Sequence, residues 1–308
     1  MPNRFLAVDW GTTNLRAWVV GAGGQVEAHR EFPLGVSRLA PGEAAERFED
    51  TVRPALGAEG LPAILCGMVG SNLGWRQVDY FPCPADLKTL AGGLKRISTS
   101  GPPVFIVPGL CCLRSDGGLD VMRGEEVQIL GWIAGSPERS RGKRLVCHPG
   151  THTKWVLLVD GRIERFVTAM TGELFDVLRK YSVLRAPPGY DDAPEDESAF
   201  DEGQKAAGDG TALASRLFTA RARVAGGTMK PEQVKSYLSG LLIGADVAGT
   251  PALLGAGVGT PVVLLGDLDL CRRYQRALET AWATVSIHDG DAAVLAGLGA
   301  LFEMESVR

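Results

Sequence analysis

The strongest constraint on this chain is a strand–turn–strand unit that occurs twice. Near the start, Phe5-Leu6-Ala7-Val8-Asp9-Trp10 runs into Gly11-Thr12-Thr13-Asn14 and then Leu15-Arg16-Ala17-Trp18-Val19-Val20. In the second half, Leu145-Val146-Cys147-His148-Pro149 runs into Gly150-Thr151-His152 and then Thr153-Lys154-Trp155-Val156-Leu157-Leu158-Val159. Each copy is an apolar run, a Gly-Thr turn and a second apolar run containing Trp. A third strand follows in both, Gln25-Val26-Glu27 and Arg162-Ile163-Glu164, the latter after the two-residue turn Asp160-Gly161. Solenoid repeats recur at roughly 20–50 residues. A single duplication near half the chain length predicts two similar α/β domains, and 308 residues exceed what one core usually serves. The polar stretch from Ser136 to Gly142 reads as the linker, giving domains 1–140 and 141–308.

Periodicity fills in the rest. Ala44, Phe48, Val52 and Leu56 fall on one face of a helix. Leu61 to Cys66 is a short buried strand opening a Gly-rich loop through Trp75; Ala85 to Ile97 reads as a helix and Val104 to Val107 as a strand. Glu125 and Glu126 open a helix to about Ala134, acidic groups suiting a first turn. Further helices are expected over Thr171–Leu184, Ser198–Arg223 with breaks at Gly203 and Gly208, and Pro231–Val247. Pro261 to Leu265 is a strand ending at Gly266-Asp267; Ala283 to Ile287 is another, before a final helix capped by Asp289-Gly290-Asp291.

A hairpin turn offering convergent backbone N–H groups and hydroxyls can cradle phosphate. Asp9 beside such a turn could carry Mg²⁺, a hard ion that takes carboxylate, water and phosphate oxygens. The copies differ: His148 stands where the first has Asp9, and Lys154 where the first has Leu15. One carboxylate and one cation are what a bound Mg·ATP calls for; the alternatives are a plain polar hairpin and a strand lysine facing solvent. The familiar fingerprints fail. No GxxxxGK[ST] occurs, and Gly255-Ala256-Gly257-Val258-Gly259-Thr260 misses GxGxxG at its last position.

Composition excludes several classes. A net charge of −4 gives no pull toward nucleic acid or an anionic membrane, and no apolar run nears the ~20 residues of a span. The N-terminal segment lacks a signal pattern, and the six cysteines show no CxxC pair. Reduced thiols in the cytoplasm are the expectation. His148 and His152 lie across a turn, so turn and core roles are preferred to a metal site.

With these motifs in place, the chain resembles the acetate kinase, sugar kinase, Hsp70 and actin superfamily. Asp9 to Asn14 and Gly150 to Trp155 look like its phosphate-1 and phosphate-2 motifs, and Leu264-Leu265-Gly266-Asp267 like its adenosine motif. Within it, the chain is similar to the 2-keto-3-deoxygalactonate kinases. The segments carrying this are Cys66 to Ser71, Phe81 to Pro84, Val107 to Leu110, Val121 to Glu126, His148 to Val156 and Tyr237 to Gly244. The resemblance implies an α/β fold of two ribonuclease H-like (actin-like ATPase) domains with a nucleotide cleft between them. The first domain would bind sugar acid and the second nucleotide. The implied reaction moves the γ-phosphoryl of ATP, with Mg²⁺, to O6 of 2-dehydro-3-deoxy-D-galactonate, in galactonate and galactose catabolism.

The implied nucleotide contacts are Asp9, Gly11, Thr12, Thr13, Asn14, Gly150, Thr151, Thr153, Lys154 and Gly266, with Asp9 on the metal. Superfamily sugar kinases place a general base where the first domain's last strand enters a helix, typically Asp. Here that junction is Arg123-Gly124-Glu125-Glu126, so Glu125 is the first candidate, Glu126 the second and Asp120 the third; helix capping is the other role open to the two glutamates. Arg16 and Arg123 could fork onto the substrate carboxylate. Ser71, Asn72 and Trp75 lie on the loop after a strand end, where α/β ligands bind. Three rivals stand beside this: a kinase for another sugar or sugar acid, a non-catalytic sugar sensor, and an ATP-driven machine. Sensors usually carry a helix-turn-helix before the first motif, whereas here the first strand starts at residue 5. Oligomeric state is not legible, a homodimer being one option.

Overall fold

The first strand, β1 (Phe5–Trp10), is apolar on both faces, as a strand covered on both sides must be. The computed structural model describes residues 4–99, 101–190, 193–257, 259–279 and 284–307. From β1 the chain continues through β2 (Leu15–Val20), β3 (Val26–Phe32), α1 (Glu43–Arg47), β4 (Ala63–Gly67), β5 (Tyr80–Pro82), α2 (Leu87–Gly92), β6 (Lys95–Ile97) and β7 (Val104–Ile106). It goes on to β8 (Gly109–Leu113), β9 (Leu119–Met122), α3 (Glu125–Ala134), β10 (Lys143–His148), β11 (Thr153–Val159) and β12 (Arg162–Ala169). The last third holds α4 (Thr171–Tyr181), α5 (Glu197–Ala207), α6 (Leu213–Ala225), α7 (Val234–Gly249), β13 (Val262–Gly266), α8 (Leu268–Glu279), β14 (Val285–Asp289) and α9 (Gly290–Ser306).

The duplication in sequence is a duplication in topology. One sheet runs β3-β2-β1-β4-β7-β6 and another β12-β11-β10-β13-β14. In the first, β1 pairs antiparallel with β2 and parallel with β4; in the second, β10 pairs parallel with β13, and β13 with β14. This is the ribonuclease H-like, actin-like α/β arrangement. The Asp160-Gly161 turn has φ of 46° and 78°, the positive pair a type I′ hairpin needs.

The chain forms two compact units. One comprises Met1–Gly142, Leu158–Arg165 and Gly290–Arg308, the other Lys143–Leu157 and Phe166–Asp289. Sequence reading divides the chain at residue 140 and keeps everything after it together. The structure instead groups the closing helix α9 with the first unit. There the Phe302 ring stacks on Phe5 of β1, centroids 4.3 Å apart. The opposite face of that sheet buries Leu6, Val8 and Trp10 against Phe48 and Val52. Truncating a core aromatic such as Trp10 costs ~3–5 kcal/mol.

Glycines set the helix crossings. A methyl on Gly131 of α3 would lie 2.1 Å from the Ala293 carbonyl of α9, and one on Gly297 would lie 2.3 Å from Val127 O. In the second unit Gly203 of α5 and Gly240 of α7 do the same, meeting Tyr237 O at 2.1 Å and Phe200 O at 2.0 Å. Gly203 therefore does not break a helix; it lets α5 and α7 touch backbone to backbone. The break between α5 and α6 falls at Gly208 and Gly210, both at positive φ.

Four further features differ from the sequence reading. The helix expected over Ala85–Ile97 stops at Gly92, and Lys95–Ile97 becomes a strand paired with β7. A three-stranded sheet, β5-β8-β9, went unseen because its strands are three to five residues long, too short for a period. The helical run Pro231–Leu254 is long and apolar enough by length and composition to cross a membrane, although 67% of its most apolar stretch is buried within the protein. The expected helix from Glu43 to Leu56 is helical throughout its length but changes pitch, from α to a π turn over Phe48–Val52 and a 3₁₀ turn over Pro54–Leu56. Asp191, Asp192, Val258 and Ala283, parts of the acidic loop, the near-GxGxxG run and the last expected strand, lie outside the described residues.

Candidate active site

In the first unit, the ends of β1 and β4 and the start of α3 converge. Asp9 stands opposite Cys66, and Trp10 opposite Gly67. Gly67 has φ +88°, and a methyl there would lie 2.7 Å from Trp10 O and 3.2 Å from Asp9 Oδ1. Gly124, at φ +109°, comes as close: its methyl would meet the Gly67 Cα at 3.2 Å. Two glycines thus let the Asp9 turn and the Glu125–Glu126 junction abut, so one end of the sheet carries all three carboxylates.

The turn after β1 is held from outside. Gly11 N donates to Asn14 O at 2.9 Å, and Gly35, Val36 and Ser37 N donate to Thr13, Gly11 and Thr12 carbonyls at 3.0–3.1 Å. Thr12, Thr13 and Asn14 remain exposed. Arg16 sits across the hairpin from Asp9; one guanidinium nitrogen reaches Asp9 Oδ2 at 2.5 Å and another pairs with Asp291 at the start of α9. Arg16, read from sequence as a fork for a substrate carboxylate, is here bracketed by two of the protein's own. In sequence Asp291 is only a helix cap, and no local signal ties it to the Arg16–Asp9 pair.

At the junction, Glu125 Oε2 accepts from Arg123 N at 3.1 Å, and both Glu126 oxygens accept from Gly124 N at 2.8–2.9 Å. The capping role is therefore present for both. They differ in access: Glu126 is fully buried and Glu125 half-buried. Burial, and then the charge of Glu125, push the Glu126 carboxyl up to about 8. Asp120 lies on β9, its Oδ1 accepting from Val121 N.

Arg123 is buried beside the Gly-rich loop. Its guanidinium lies 4.2 Å from the Tyr80 ring centroid and donates from Nη2 to Val78 O at 2.6 Å. Its Nε and Nη1 are buried without a hydrogen-bond partner, and Nη1 would lie 2.7 Å from a methyl on Gly70. Ser71, next in the chain, spends its hydroxyl on the loop, donating to Met68 O and accepting from Leu73 N. Asn72 is exposed, whereas Trp75 packs on the core with its ring 5.4 Å from Phe48.

The second unit gathers the other turn. Gly150 and Thr151 sit at the surface, and a methyl on Gly150 would meet nothing within 4 Å, so a ligand can approach the backbone. Gly266 ends β13 at φ +144°, its face 3.7 Å from Pro149 O. The expected phosphate and adenosine motifs are thus neighbours. Lys154 is buried and donates to Thr168 Oγ1 at 3.1 Å, so it is not a solvent-facing strand residue. His152 pairs with Glu173 at 2.5 Å; among the described residues no three His, Cys, Asp or Glu side chains cluster as a metal cage. A small cavity of about 60 Å³ touches Gly150, Thr171 and Gly172; it shares Ser239 and Arg273 with a larger one of about 450 Å³ bordered by Phe200, Arg272 and Arg276.

Known proteins share this organisation. Residues 9–301 match the 2-keto-3-deoxy-galactonokinase family. A Rhizobium meliloti (strain 1021) protein named "Probable 2-dehydro-3-deoxygalactonokinase DgoK1" is 38% identical over 96% of this chain and 95% of its own. The Escherichia coli (strain K12) 2-dehydro-3-deoxygalactonokinase is 36% identical over 97% of each. A crystal structure from Sinorhizobium meliloti, given the same enzyme name in provisional form, superposes with a TM-score of 0.85 at 37% identity, covering 96% of this chain and 97% of that one. The chain belongs to the 2-keto-3-deoxy-galactonokinase family.

Proposed function

We propose that this protein transfers the γ-phosphoryl group of ATP to the O6 hydroxyl of 2-dehydro-3-deoxy-D-galactonate, releasing ADP and the 6-phosphate. What carries this reading is the family match across residues 9–301, within which the two turns and the acidic junction all fall. Phosphoryl transfer asks a protein for positioning and charge stabilisation more than covalent chemistry.

Glu125 is the general base. It is the accessible carboxylate at the junction, and a base must reach the hydroxyl proton; its neighbour Glu126 is enclosed. Arg123 takes the substrate carboxylate. Its buried Nε and Nη1 have no partner within the protein and leave charged donors for a carboxylate, and Arg16 is already engaged. The turn from Gly11 to Asn14 and the turn Gly150, Thr151 and Thr153 contact the phosphates, with Lys154 supplying positive charge and Gly266 admitting the nucleoside. The larger cavity, which meets the small one at Ser239 and Arg273, receives its base.

The donor set suits Mg²⁺. Asp9, whose Oδ2 pairs with Arg16, keeps Oδ1 as a hard oxygen at a strand end, and a single carboxylate leaves the other positions to water and phosphate, which is how this ion is commonly held. When bound, it neutralises charge on the transferring group. We place the enzyme in the cytoplasm, where free thiols and an ATP-consuming step belong.

The test is ATP-dependent phosphorylation over 2-keto-3-deoxy sugar acids, aldonates and aldoses, read by ADP release and product mass. Turnover on the keto-deoxy galactonate at the 6-position is expected. Turnover on a simple hexose, with none on any keto-deoxy acid, overturns the substrate assignment.

A further inference from the structure

The chemistry above leaves a buried carboxylate of the second unit unused. Asp246 lies in the apolar helix α7 with 6% of its surface exposed. Four neutral donors converge on it. Oδ1 accepts from Trp155 Nε1 at 2.8 Å and Thr250 Oγ1 at 2.7 Å; Oδ2 accepts from Thr171 Oγ1 and the Tyr274 hydroxyl, each at 2.7 Å. Burial without a cation is costly for a carboxylate, and here it holds the group above its ordinary range. An apolar residue would fill the space at less cost, but would strand three buried donors, Trp155, Thr171 and Tyr274.

Three of those donors belong to elements that frame the Gly150–Lys154 turn. Trp155 follows it directly on β11. Thr171 opens α4, and the next residue, Gly172, packs so closely that a methyl would lie 2.4 Å from Gly150 O and 2.8 Å from Thr151 Cα. Tyr274 comes from α8, the helix after the Gly266 motif, and its hydroxyl also lies 2.9 Å from Thr153 Oγ1. Thr153 Oγ1 in turn faces Gly150 N at 3.5 Å. Asp246 accepts from all four groups, and the Tyr274 hydroxyl has a single proton to give it, so Asp246 fixes the direction of the whole chain. Tyr274 donates to Asp246, Thr153 donates to Tyr274, and the Thr153 oxygen is left to accept from the Gly150 amide.

We propose that Asp246 is a positioning residue for ATP, fixing through Tyr274 and Thr153 the conformation of the turn that receives its phosphates. This rests on the reading of Gly150–Lys154 as a phosphate turn, and the experiment separates the two. Tyr274→Phe and Thr250→Val each remove one hydroxyl from Asp246, but only Tyr274 continues to the turn.

Steady-state kinetics with both substrates, and thermal melts, are measured for each variant. Tyr274→Phe should raise the KM for ATP about tenfold with the sugar-acid KM within about twofold, the size of one lost hydrogen bond. Thr250→Val should lower the melting temperature and leave the KM for ATP in place. Asp246→Asn, which brings donors to an acceptor's position, should follow Tyr274→Phe; the two single-hydroxyl variants decide the matter if it does not fold. Lys154→Met tests the parent reading. A raised ATP KM there, with Tyr274→Phe and Thr250→Val alike, overturns the role of Asp246 alone. An unchanged ATP KM in Lys154→Met overturns the phosphate turn and this inference together.

Discussion

Two adjacent glutamates show how one peptide step separates chemical roles. Glu125 and Glu126 both bond to amides at the start of α3, yet only Glu126 is sealed off. Glu125→Gln should cut kcat by ~10²–10⁴ while leaving ATP binding intact. Near-normal turnover in that variant removes Glu125 from the base role. Glu126 makes its own prediction. The unfolded chain titrates this group near its ordinary 4.5, and the fold pushes it to about 8, so the folded chain holds an extra proton between those values. Stability present below about 4.5 is therefore lost as pH rises toward about 8. Thermal melts of wild type and Glu126→Gln across that window should diverge, the variant falling less; parallel curves would argue against a buried, proton-binding Glu126. The residue types at this junction were readable from sequence. Which of the two is enclosed was not, because it depends on Gly67 and Gly124 bringing β4 and α3 together.

Helix crossings and turns here depend on the absence of side chains. Gly172 presses α4 against the Gly150 turn, whereas Gly131 presses α9 against α3. Alanine at either site overpacks a close contact at ~1–3 kcal/mol. The two should separate by function. Gly172→Ala should weaken nucleotide binding as well as stability, since the clashing atoms belong to the turn. Gly131→Ala should lower the melting temperature and leave nucleotide affinity unchanged in calorimetry. Loss of affinity in both, or in neither, would break the assignment of the turn. Such contacts account for part of a composition of 40 glycines in 308 residues, roughly twice the usual share. From sequence, Gly203 reads as a helix breaker, because a glycine's partner across a crossing lies far away in the chain.

At the scale of the molecule, the last helix matters most. Residues Gly290–Arg308 group with Met1–Gly142, and the Phe302 ring stacks on Phe5. Ending the chain after Asp289 should therefore unfold the first unit, exposing the Phe5 face of β1, rather than trim the second. Limited proteolysis with mass mapping would show it as new cleavage within residues 5–142; cleavage confined to residues 166–289 would contradict the grouping. The sequence by itself determined the duplicated hairpins, the α/β class, the two turns and the family resemblance. Each of those is written in local pattern: alternation, a Gly-Thr turn, a run of apolar residues between polar ones. Tertiary structure alone decided that Arg16 is paired with Asp9 and Asp291, that Lys154 is buried, and that α9 returns to the first sheet. It also decided that Asp246, a lone acid in an apolar helix, collects donors from β11, α4 and α8. Those facts depend on contacts between residues up to 297 positions apart, and no local period records which distant donor a buried carboxylate will meet.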